Sequence, residues 1–130
     1  MSIKFHLPDF AVHYRFNRVF LAMMKNCPEY FYDDIEIGSI YGTFPQSLWN
    51  GGRLMAGICD RSYVRTVVKT FNDMGIPLRF TFSNPVITEH DLKDDFCNFI
   101  LRTAHNGMNG VIVVSPILEQ YIRENYPKYK

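Results

Sequence analysis

The chain has 130 residues, the size of one domain with one core and well short of the roughly 250 residues of a complete (β/α)8 barrel. Apolar residues make up 47% and charged residues 21%, which excludes a disordered tail or a coiled coil. Fourteen Lys plus Arg against thirteen Asp plus Glu leave a net charge of +1, so charge gives no support to binding nucleic acid or an anionic membrane surface. The outlying number is the aromatic content, 15%.

The first residues, Met1-Ser2-Ile3-Lys4-Phe5-His6, open no apolar run of signal-peptide length, and no segment reaches the ~20 apolar residues of a membrane helix. A cytoplasmic protein is the expectation. Cys27, Cys59 and Cys97 are odd in number and widely spaced, with no Cys-x-x-Cys pair, which reads as free thiols and not as a disulfide or zinc framework.

In chain order, Asp9 is placed to cap a helix whose residues Val12, Phe16, Val19, Phe20 and Met23 recur at helical spacing, predicting one apolar face turned to the core and an end before Pro28. Residues 1–34 thus read as a leader, a helix and the aromatic link Tyr30-Phe31-Tyr32. Ile35 to Tyr41 alternates apolar with small or polar residues and reads as a strand ending at Gly42. The loop that follows, 43–53, mixes turn residues with Phe44, Trp49 and Arg53. Asp60 or Ser62 then caps a helix carrying Val64, Val67, Val68, Phe71 and Met74 on one face, with Gly75 as its stop.

Leu78 to Phe82 reads as the second strand, closed by Ser83-Asn84-Pro85. Thr88-x-x-Asp91 is a variant capping box ahead of a third helix with Leu92, Phe96, Phe99, Ile100 and Thr103 at helical spacing. Asn109-Gly110 introduces Val111 to Val114, a β-branched run expected to be buried on both faces. Ser115 and Pro116 start a last helix with Leu118, Tyr121 and Ile122 inward. Residues 35–130 therefore form three strand-helix units, at the spacing of right-handed crossovers. The fold class expected is α/β, one domain over 1–130, with three parallel strands and flanking helices resembling part of a (β/α)8 barrel.

In such folds, ligands bind at the carboxyl ends of the strands. That rule selects Tyr41, Trp49, Asn50 and Arg53 after the first strand, Ser83 and Asn84 after the second, and Ser115 after the third, with Arg79 on the face it shares with Thr81. Arg53 and Arg79 suit a small anionic ligand, Trp49 or Phe44 a stacked ring, and Gly51-Gly52 close backbone approach. Each has a plainer reading: a Gly-Gly turn, an aromatic lid on the core, a solvated arginine paired with Asp73 or Asp95, and ordinary Asn-Pro turn chemistry. His6, His13, His90 and His105 do not cluster at metal-ligand spacing, and no Ser-His-Asp or Cys-His set is recognisable, so no catalytic or metal-binding residue is assigned.

The succession Ser39-Ile40-Tyr41-Gly42 with Arg53, then Arg79-Phe80-Thr81-Phe82-Ser83-Asn84, then Val111 to Pro116 with Tyr121-Ile122-Arg123-Glu124-Asn125-Tyr126-Pro127, resembles the amino-terminal half of the collagenase-like peptidase family. The resemblance spans Ile35 to Lys130. It implies a (β/α) barrel enzyme, a class in which several members hydroxylate RNA bases or a quinone precursor with an iron–sulfur cluster. The cysteine-rich signature of that family lies downstream of the matched region, and Cys27, Cys59 and Cys97 correspond to no part of it. No cofactor is therefore expected in this chain.

Two functional expectations follow. One is a partial barrel that orients a substrate while the chemistry is supplied elsewhere. The other is a non-catalytic binding or assembly module that docks a partner through the aromatic loop 43–53. Exposed edges of a short parallel sheet predict a homodimer or a partner chain that completes the sheet.

Overall fold

Alternation with a period of two builds the sheet, and the first stretch to show it is Ile3-Lys4-Phe5-His6-Leu7 at the very start of the chain. In the computed structural model, which describes residues 1–51 and 57–130, this stretch is a strand, β1 (Ile3–Pro8). It is followed by α1 (Tyr14–Asn26), β2 (Ile35–Gly42), α2 (Arg61–Asp73), β3 (Leu78–Phe82), α3 (Asp95–Thr103), β4 (Gly110–Val113) and α4 (Pro116–Asn125). The α/β class with a parallel sheet and flanking helices is as expected. The sheet has four strands rather than three, because the leader supplies one.

Every neighbouring pair is parallel and the order in space is the order in the chain, β1-β2-β3-β4. Sequential parallel neighbours joined by crossovers of the single favoured hand place their helices on one face of the sheet. Burial agrees. Leu78, Phe80 and Phe82 are fully enclosed, whereas Ile112 and Val114 of the opposite face are 45% and 55% exposed. The sheet stays open, with β1 and β4 as its edges. The expectation that the run Val111 to Val114 is buried on both faces is therefore corrected: helices cover only one.

Three helices start where polar side chains satisfy their free N–H groups, whereas α1 starts after His13 with no side-chain cap, so Asp9 does not cap it as expected. Asp60 accepts from the Tyr63 amide at 2.7 Å, Asp94 from Cys97 at 2.8 Å and Ser115 from Leu118 at 3.4 Å. Thr88 and Asp91 do bond to each other, but they close a turn before a short 3-10 segment, and α3 begins only after Asp94. On α2, Val64, Val67, Val68 and Phe71 are buried as their spacing predicts. Each contributes about 1.5–3 kcal/mol by leaving water.

The first helix departs from its expected orientation. Its buried positions are Asn17 and Leu21, with Tyr14 edge-on to Tyr63 and Phe71 of α2, while Val12, Phe16, Val19 and Met23 are exposed. The reason is polar: the Asn17 amide donates to the carbonyls of Pro8 and Asp9, and this fixes which side of α1 faces the sheet. Hydrophobic periodicity alone does not register that bond. Asp9 itself accepts from the Val12 amide in the turn before the helix, at 3.0 Å.

A second polar knot sits at the opposite end of the sheet. Buried Asn109 accepts from the Leu78 amide at 2.8 Å and donates to Ala104, Asn72 and Asn106. It joins the starts of β3 and β4 to the ends of α2 and α3.

Candidate site at the carboxyl ends of the strands

Where β1, β2 and β3 end, the chain leaves a depression of about 270 Å³ lined by Pro8, Asp9, Tyr41, Gly42, Thr43, Asn50, Gly51, Thr81 and Ser83. A groove of about 320 Å³, which carries Glu119, Arg123 and Lys130, runs between β4 and α4; the depression is the one formed by the carboxyl ends of three strands. Its floor belongs to the uncovered face of the sheet. Register places Pro8, Tyr41, Arg79 and Gly110 in one row, with Thr81 and Ile112 above Arg79 and Gly110.

The rim is held by several constraints at once. Asp9 has φ +59°, in the left-handed region that non-glycine residues occupy at a cost. Three features hold it there: its amide donates to the Tyr41 carbonyl at 2.6 Å, Asn17 bonds its carbonyl, and Gly42 leaves it room. A Cβ on Gly42 would stand 3.1 Å from the Asp9 Cα. Beside it, Thr43 is buried and its Oγ1 is the one enclosed side-chain oxygen or nitrogen among the described residues with no hydrogen-bond partner. Such a group is costly unless something outside the fold satisfies it.

The loop after β2 is tied down by the end of β3. Ser83 Oγ donates to the Gly51 carbonyl at 3.1 Å, and the Asn84 side-chain amide donates to the Leu48 carbonyl at 3.0 Å. The Asn84 backbone amide donates to the Trp49 carbonyl at 3.0 Å. Gly51 lies so close that a Cβ would meet the Asn84 Cα and the Ser83 carbonyl at 2.6 Å. The first glycine of the Gly-Gly pair thus serves chain crossing.

Arg79 sits one row below Thr81 on the uncovered face. Its guanidinium lies over Gly110, where a Cβ would come within 2.5 Å of Nη1, so the glycine makes the space. Among the described residues Arg79 forms no ion pair and no side-chain hydrogen bond. The two carboxylates considered as its partners are engaged elsewhere, Asp73 with Lys69 and Asp95 with Arg61 and Arg102.

Of the eight residues selected from the sequence, Tyr41, Asn50 and Ser83 line the depression, and Arg79 lies outside the lining, one row below Thr81 with its guanidinium over Gly110. Asn84 faces the loop it anchors. Trp49 is fully buried, edge-on to Phe82 and Tyr121, with its indole N–H donating to the Asp91 carbonyl at 2.8 Å. Ser115 is a helix cap. Arg53 lies outside the described residues. Asp9, Thr43 and Thr81 were not selected as site residues. Recognising Ile3–Pro8 as a strand brings Asp9 in at once, as the residue that follows its end.

The cysteines lie away from the depression. Burial pushes the thiol of Cys59 up to about 11 and that of Cys97 up to about 12, which leaves both protonated and poorly nucleophilic at neutral pH. No group of three or more His, Cys, Asp or Glu side chains among the described residues is arranged to hold a metal ion. None of the described helices is long and apolar enough to cross a membrane.

The fold and this site together define a parallel α/β protein of consecutive strand-helix units with a polar depression at the strand carboxyl ends. Compared with protein-family models, curated proteins and solved structures, the chain matches none.

Proposed function

We propose that this chain is the substrate-orienting part of a (β/α)-barrel type of enzyme, binding a small anionic ligand in the depression at the strand carboxyl ends. The observation that carries the reading is Arg79: on the uncovered sheet face, in the row of Tyr41 and one row below Thr81, its guanidinium lies over Gly110 beside the depression and is unpaired among the described residues. A half-buried arginine without a carboxylate partner is stabilised by an anion, and phosphate or carboxylate matches its fork of donors. Thr43, with its unpartnered hydroxyl, adds a second unmet hydrogen-bonding group at the same place.

The barrel-enzyme class rests on the order of strands and on the resemblance to collagenase-like peptidases, through Tyr41-Gly42 and the strand ending in Ser83-Asn84. The chemical step is assigned to groups outside this chain. A second copy or a partner chain completes the open sheet, and the three free cysteines support a cytoplasmic setting. The assembly-module reading depended on Phe44 and Trp49 as docking rings. Both are buried in the core, so the ligand reading is the better supported.

The test is a titration of the amide spectrum with inorganic phosphate and, separately, succinate. Saturable shifts confined to 41–43, 50–51 and 79–83, lost in Arg79→Ala, are expected. Absence of saturable shifts at millimolar ligand, or the same shifts in Arg79→Ala, overturns the reading.

A further inference from the structure

We infer that two copies of this chain close a ring of eight parallel strands, in which the β1/α1 flank of each copy docks on the β4/α4 groove of the other. The inference rests on the barrel reading above and names the occupant of its open edges.

Two unlike surfaces carry it. On the first, the apolar stripe that periodicity turns to the core is exposed: Val12 in the turn before α1, and Phe16, Val19 and Met23 on it, are 56%, 65%, 54% and 48% exposed. Tyr14 meets α2 from another side of the helix, which leaves Val19 and Met23 turned from α2, while Val12 and Phe16 border a hollow shared with Tyr63. Ile3 and Phe5, each 49% exposed, extend the stripe on the helix-covered face of the sheet. Arg18 does not interrupt the stripe, because its guanidinium lies over the Tyr14 ring at 5.5 Å. Together these six side chains expose on the order of 500 Å² of apolar surface, at the upper end of what a monomer carries.

The second surface is the groove of about 320 Å³ beside the other edge strand, lined among others by Val111, Val113, Ile122, Arg123, Tyr126 and Tyr129. Along that strand edge the outward amide of Val111 is taken by the Lys130 carbonyl at 3.1 Å, so an incoming strand displaces the last residue there. Val113 points its amide the same way by the two-residue period.

A second copy suits both surfaces for three reasons. A free sheet edge is a template for a further strand, and the chain presents one at β1. The contact is head-to-tail, which makes filaments unless the rotation closes, and four strands plus four is the number at which a (β/α) barrel closes. Finally, the twofold uses the apolar flank twice. That brings the buried area to the order of 1,000 Å² or more, as a stable interface requires.

The full chain at tens of micromolar is weighed by light scattering and native mass spectrometry, and a mixture of ¹⁴N- and ¹⁵N-labelled chains is cross-linked at lysine. A dimer is expected, with mixed-isotope links joining Lys4 of one copy to Lys128 or Lys130 of the other. Phe16→Glu and Val19→Glu, both at exposed positions, are each expected to weaken dimerisation more than about tenfold with the circular dichroism spectrum unchanged. A monomeric parent chain overturns the inference, as do mixed-isotope links only between Lys25 and Lys25, which describe a symmetric helix-to-helix contact. The cross-links need no variant, so a misfolded substitution does not blur the result. A monomer that still binds phosphate through Arg79 removes the ring alone, whereas a dimer without phosphate binding removes the ligand reading alone.

Discussion

Asn17 on α1 donates its side-chain amide to the carbonyl of Pro8, the last residue of β1, at 2.9 Å. The same nitrogen reaches the Asp9 carbonyl at 3.3 Å, so one buried amide both seats the helix and holds the strained residue at the rim of the depression. Replacing it with leucine keeps the branched shape and removes both bonds, leaving the Asp9 carbonyl with the His13 amide alone. Asn17→Leu is expected to destabilise the protein by about 1–3 kcal/mol in urea unfolding. It is also expected to shift the amides of Asp9 and Tyr41. A neutral effect would mean that the bond does not orient α1.

Trp49 makes a second expectation specific. Its ring fills the space between Phe82 and Tyr121, and its N–H is bonded to Asp91. Trp49→Ala should cost about 3–5 kcal/mol. Trp49→Phe should keep most of the packing and cost less. Denaturant melts of the two variants check the order, and a ring whose role is surface docking would leave both unchanged.

Gly51→Ala is expected to lower the melting temperature, because the new methyl meets the Ser83–Asn84 backbone at 2.6 Å. Backbone cannot swing away as a flexible side chain does, so strain in the loop from Phe44 to Gly51 or loss of the bond from Ser83 to Gly51 must follow. Gly75→Ala offers a control with no atom within 4 Å, where only the cost of its positive φ remains.

The thiols set the response to alkali. Cys97 has its ordinary value at 9.0 and is raised to about 12 in the fold by burial, so between those values the unfolded chain loses a proton that the native chain keeps. Stability from this group is complete below pH 9 and falls as pH rises toward 12. The slope approaches about 1.4 kcal/mol per pH unit. Cys59, raised to about 11, adds to the loss above pH 9. Urea midpoints measured from pH 7 to 10.5 should therefore decline at the alkaline end, and Cys97→Ala should flatten the decline. At pH 8 both thiols should resist a disulfide reagent until the protein unfolds.

Arg79→Ala is expected to change stability by no more than about 0.5 kcal/mol, since the side chain has no hydrogen-bond or ion-pair partner among the described residues. A stable variant that no longer responds to phosphate separates a ligand contact from a structural one. Loss of several kcal/mol would show instead that the guanidinium supports the sheet.

The sequence made β2, β3, α2 and α4 legible because local signals and tertiary packing agree there: alternation in Leu78 to Phe82, a cap at Asp60, and Ser115-Pro116 at a helix start. It misled where a single polar contact outweighs a pattern, as Asn17 does for α1. It also misled where a pattern was present but read as a leader, as in Ile3 to Leu7. That omission cost the site most, since Asp9 gains its meaning only as the end of a strand. Trp49 and Asn84 were selected by position at strand ends, and position does not tell whether a side chain faces the opening or the core. Arg79 and Thr81 were readable as sharing a face, and alternation was enough for that.

The buried amide of Asn109 has a kinetic corollary. By accepting from the Leu78 N–H, its side chain acts where a neighbouring strand's carbonyl would, and it does so while bonded to the ends of α2 and α3. The first amide of a strand ordinarily exchanges with solvent deuterium through fraying. Here Leu78 should exchange as slowly as the centre of β3, opening only when α2, β3, α3 and β4 come apart as one unit.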